Sequence, residues 1–70
     1  MNGTIQELNI IHDARGQALA IRQRIYERLF KLETTGSAST TEVEAAELDV
    51  LEAQIALSEA QIAIIKEQGS

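Results

Sequence analysis

Seventy residues carrying a formal net charge of -5 and a pI near 4.6 make at most one small acidic domain. A core of that size is marginal unless a disulfide, a metal or a second subunit staples it. The chain has no cysteine, which excludes the first staple and any thiolate metal site and leaves the redox compartment open. Its lack of proline, its abundant Ala, Ile, Leu, Glu and Gln and its strong hydrophobic periodicity predict an all-α, ordered chain. No apolar run reaches the ~18 residues of a membrane span, and the start of the chain lacks a charged-then-apolar leader pattern. The expected location is cytoplasmic, or the host cytoplasm if a phage encodes the chain.

In chain order, Thr4 and Glu7 read as a capping box, which predicts a first helix from about Ile5 to Thr34. Its main apolar stripe is expected to be Leu8, Ile11, Ala14, Ala18, Ile21, Ile25, Leu29 and Leu32. Gly16 breaks helix propensity by roughly 1 kcal/mol, a cost expected where a neighbouring helix comes close, near Leu57 and Ala60. Residues 35–40 are polar, β-branched and small, with Gly36 suited to a left-handed helix end. Ser39 with Glu42 and Thr41 with Glu44 are competing capping boxes for a second helix, from about residue 41 to Glu67. So short a connection makes the two helices antiparallel neighbours in a single hairpin domain over residues 1–70. Charge agrees, since the basic end of helix 1 (22–31) would then lie beside the acidic start of helix 2 (42–52).

The second helix carries two heptad series. Leu48, Leu51, Ile55, Ser58, Ile62 and Ile65 form a bulky one; Val43, Ala46, Val50, Ala53, Leu57, Ala60 and Ile64 form a thin one. They fall on nearly opposite sides of the helix. One hairpin partner covers one series, so the other needs a further chain. Leaving Val43, Val50, Leu57 and Ile64 in water would forgo ~1.5–3 kcal/mol each, comparable in sum with the whole stability of a small domain. The expectation is a homodimeric four-helix bundle or a higher helical oligomer. Its candidate interface residues are Leu48, Leu51, Ile55, Ile62 and Ile65 together with Val50, Leu57 and Ile64. The thin series is expected to close the hairpin and the bulky one to join chains, with the reverse assignment left open.

Catalytic signatures are missing. There is no phosphate-cradling glycine loop, no HExxH and no cysteine nucleophile. His12 and Asp13 are adjacent on a helix and point in different directions, so they do not form a dyad. A bundle carboxylate metal site would need Glu three residues before His, where Asn9 stands. No catalytic residue, cofactor or metal is therefore expected. The face of His12, Arg15, Leu19, Arg22, Tyr26 and Phe30 is the candidate partner-binding site, because arginine and aromatics combine apolar area with directional polar contacts. The alternative is that these side chains pack within the chain's own assembly.

A hairpin of this length forming a four-helix dimer resembles, in architecture alone, the repressor-of-primer RNA-binding proteins. That likeness would imply RNA binding, whereas the acidic balance argues against phosphate contacts beyond a local patch of Arg22, Arg24, Arg28 and Lys31. The reading favoured from sequence is a non-catalytic protein–protein interaction module of phage or mobile-element character that blocks or bridges a host protein. A structural virion or assembly subunit is the alternative, and a nucleic-acid regulator the third.

Overall fold

The computed structural model describes residues 2–69 as two helices, α1 (Asn2–Thr34) and α2 (Thr40–Gln68). No strand occurs among the described residues. The helices pack antiparallel into a rod of 53 × 14 × 10 Å.

The turn is built from local backbone chemistry. Gly36 takes φ 80°, a left-handed conformation that side-chain-bearing residues rarely adopt. That reversal lets the Ser37 amide donate to the Leu32 carbonyl at 2.8 Å and the Gly36 amide to the Glu33 carbonyl at 3.0 Å. This pair of bonds is the Schellman ending, which satisfies carbonyls that α1 would otherwise leave open. The Thr35 hydroxyl also donates to the Leu32 carbonyl, at 2.9 Å. Three residues later the chain re-enters helix with Ser39 as N-cap. Its Oγ accepts from the Glu42 amide, while the Ser39 amide donates back to the Glu42 carboxylate, each at 3.1 Å. Of the two competing boxes the chain uses this one, and Thr41 lies inside the first turn of α2.

The start of α1 differs from expectation. The helix begins at Asn2, so Thr4 and Glu7 lie inside it and do not cap it. Nothing in Asn2, Gly3 and Thr4 forbids helical dihedrals, and an exposed first turn can leave its free amides to water.

The interior belongs to the thin series of α2. Val43, Ala46, Val50, Ala53 and Ala60 are buried, at 3–8 % exposure, and Leu57 and Ile64 are half-buried. Facing them, α1 presents Ile5, Leu8, His12, Gly16, Leu19, Tyr26 and Leu29, all half-buried. This corrects the expected α1 stripe: only Leu8 and Leu29 of it turn toward α2. Ile11, Ile21, Ile25 and Leu32 remain 38–49 % exposed, and Ala14 and Ala18 are exposed too. α1 has two apolar stripes, and periodicity alone ranks the larger first. The hairpin instead selects the edge whose longer side chains reach across a seam of valine and alanine.

Gly16 is also explained differently. A Cβ built there would meet only the Leu57 Cδ1, at 3.9 Å, which is ordinary van der Waals contact. No backbone approach requires glycine within the hairpin. Gly16→Ala should therefore raise stability by about 1 kcal/mol, through helix propensity. Ser39→Ala should lower it by about 1 kcal/mol through loss of the cap. Urea unfolding followed by circular dichroism reads both.

Candidate interaction surfaces

The six residues proposed as a docking face divide between two duties. Arg15 donates from Nη1 to the Ala56 carbonyl at 3.0 Å, and Arg22 pairs with Asp49 at 3.5 Å. The Tyr26 hydroxyl donates to Glu47 Oε2 at 3.4 Å, a long bond. These three contacts tie α1 to α2, and they realise in part the expected meeting of basic and acidic helix ends. Both members of the Arg22–Asp49 pair stay about half exposed, so it contributes only ~0–1 kcal/mol. Its value is in fixing register between two smooth seams. His12 and Leu19 sit half-buried toward α2.

Phe30 is 51 % exposed and packs edge-on against Tyr26, with ring centroids 6.2 Å apart. The pair opens with Glu27 and Lys31 onto a shallow groove. Of the docking face, this aromatic end is what the hairpin leaves available. His12 Nδ1 and Asp13 Oδ1 come to 3.9 Å, too far for the hydrogen bond a catalytic dyad needs. No group of His, Asp and Glu able to hold a metal ion occurs among the described residues. No helix among them is long and apolar enough to cross a membrane.

The candidate oligomer residues divide as sharply. Val50 is buried against α1, and Leu57 and Ile64 are half-buried on the same side of α2. Leu48, Leu51, Ile55, Ile62 and Ile65 stand 49–60 % exposed along the outer side of α2. Sequence reasoning missed the second surface, formed by Ile11, Ala14, Ala18, Ile21, Ile25 and Leu32 of α1. Its spacing is visible in the sequence, but periodicity alone reads it as core. Ala18, Ile21 and Ile25 share a groove with Ala46 and Asp49 of α2, which places this stripe on a different side of the hairpin from Leu48 and Ile55.

No known family model matches the chain, and no curated protein or solved structure is detectably similar to it.

Tyr26 provides a built-in reporter for the closed hairpin. Its half-buried position and the neighbouring Glu47 carboxylate disfavour the phenolate, so its pKa lies above the ordinary value of 10.0; Glu33 adds to the shift. A pKa raised on folding contributes stability that is present below the unfolded value and lost as pH rises through the folded one. The hairpin should therefore loosen in alkali above pH ~10. Glu47→Gln should bring the titration of this single tyrosine, followed by ultraviolet absorbance, back toward its ordinary position. An unchanged titration would show that Glu47 does not face the ring.

Proposed function

We propose that this chain is a non-catalytic protein–protein interaction module that works as an assembly of its own copies. One observation carries the reading. The hairpin buries only valine and alanine completely enough to count as core, while Ile11, Ile21, Ile25 and Leu32 of α1 and Leu48, Leu51, Ile55, Ile62 and Ile65 of α2 line two outer stripes. A chain of this size that keeps so many large apolar side chains in water is poorly served as a monomer. Exposed stripes of this extent mark contact surfaces in soluble proteins. Helix packing between hairpins, in a four-helix bundle or a longer series, would cover them at the 8–10 Å spacing usual for helices.

The geometry favours the structural or assembly-subunit form of this reading. An assembly of more than two copies would use both stripes, and Arg15, Arg22 and Tyr26 of the candidate docking face are engaged with α2. A second form, blocking or bridging another protein, rests on the Tyr26–Phe30 groove. That aromatic pair belongs to neither apolar stripe. Nucleic-acid binding gains no support, since the basic residues Arg24, Arg28 and Lys31 share one helix with Glu27 and Glu33 within an acidic chain.

Light scattering or sedimentation across a concentration series tests self-association directly. The mass should exceed that of one 7.7 kDa chain at micromolar concentration. Ile55→Glu with Ile62→Glu should return it toward the single-chain value while preserving helicity. Wild-type protein that stays a folded monomer at tens of micromolar would overturn the proposal.

A further inference from the structure

We infer that copies of this chain associate head to tail, with the outer stripe of α2 in one copy seated on the outer stripe of α1 in the next. This rests on the self-association proposed above and specifies its geometry. The first support is direction. At 3.6 residues per turn, the α1 stripe (Ile11, Ile21, Ile25) and the α2 stripe (Leu48, Ile55, Ile62) leave the hairpin on nearly opposite sides. A single hairpin therefore offers two non-equivalent surfaces, the condition for heterologous contacts that propagate into rings or filaments.

The second support is charge. In heptad terms the α1 stripe is edged by Arg15 and Arg22 on one side and by Arg24 and Lys31 on the other. The α2 stripe is edged by Glu52 and Glu59 on one side and by Glu47 on the other. Placing the helices antiparallel sets Ile11 against Ile65, Ala14 against Ile62, Ile21 against Ile55 and Ile25 against Leu51 of the next copy. Ala14 then faces Ile62, Ala18 faces Ser58, and Arg28 lies against Leu48 at the end of the contact. The same register puts Arg15 near Glu59, Arg22 near Glu52 and Lys31 near Glu47 of that copy, so all three flanking pairs are attractive. Arg15 and Arg22 already reach α2 of their own chain, and a guanidinium has donors enough to serve both sides. The symmetric alternatives lack this match. Two α2 stripes packed antiparallel bring Glu52 against Glu59 twice, and packed parallel bring Glu47 against Glu52. Two antiparallel α1 stripes bring Arg15 against Arg22 twice. Like-charge juxtaposition of this kind is how coiled-coil surfaces reject a partner.

Mixing two crippled variants tests this. Ile55→Glu with Ile62→Glu disables the α2 stripe, and Ile21→Glu with Ile25→Glu disables the α1 stripe; all four positions are exposed in the hairpin. Under head-to-tail packing each variant alone is monomeric by sedimentation, and an equal mixture forms a dimer containing one of each and stops there. Wild type continues to grow with concentration. If a variant is partly unfolded alone, mixing should restore its helicity. A variant that dimerises by itself would overturn the inference while leaving self-association standing, as would a mixture that fails to pair although wild type associates. A monomeric wild type would instead remove the reading beneath it. Glu52→Arg gives a second readout of opposite sign. It should weaken head-to-tail growth by roughly 3-fold, whereas tighter association would show that α2 pairs with α2.

Discussion

The constraint on which everything else depends is the size of the side chains between the two helices. Val43, Ala46, Val50, Ala53 and Ala60 project little, so α2 offers a shallow seam along most of its length. A shallow seam can be covered by a helix edge of mixed character, and α1 supplies one in which leucines alternate with His12, Gly16 and Tyr26. The polar tips at the margin then find partners across the gap, as Arg15 does at the Ala56 carbonyl and Tyr26 at Glu47. Closing the hairpin in this way leaves a second row of bulky apolar residues on each helix outside. Exposure of the outer isoleucines and leucines is thus a consequence of which seam is internal.

Much of this was legible in the sequence, and what was not has a physical reason. The two helices, their order and the Gly36 turn followed from composition and local hydrogen-bonding signals, which depend on neighbours within a few residues. The choice between two capping boxes did not, because Ser39 and Thr41 offer nearly the same chemistry and only the trajectory of the turn separates them. On α2 the thin and bulky series differ in volume, and that difference was readable. On α1 it was not: Leu8 and Leu29 belong to both candidate stripes, and isoleucines at 11, 21 and 25 outweigh His12 and Gly16 in any count of apolar periodicity. Which stripe faces inward is decided by the partner helix, a long-range fact that the pattern of one helix does not contain.

The candidate site shows the same division. Residue types drew attention to the arginine and aromatic side of α1, and the structure does gather Arg15, Arg22 and Tyr26 at one helix edge. Their chemistry, however, is spent mainly on the chain's own second helix. An arginine at an edge can serve an internal or an external partner equally well from its sequence context. Only the placement of Ala56 and Asp49 beside Arg15 and Arg22 distinguishes the two.

The turn at Gly36 and Ser39 gives the hairpin a direction, since it lies at one tip of a 53 Å rod and the start of α1 and the end of α2 lie near the other. If successive hairpins stood side by side with α2 antiparallel to the next α1, every turn would fall on the same rim and every start of α1 on the opposite one. Such a palisade would have unlike margins: one of threonine and serine hydroxyls held by helix caps, the other of first turns of α1 alternating with last turns of α2.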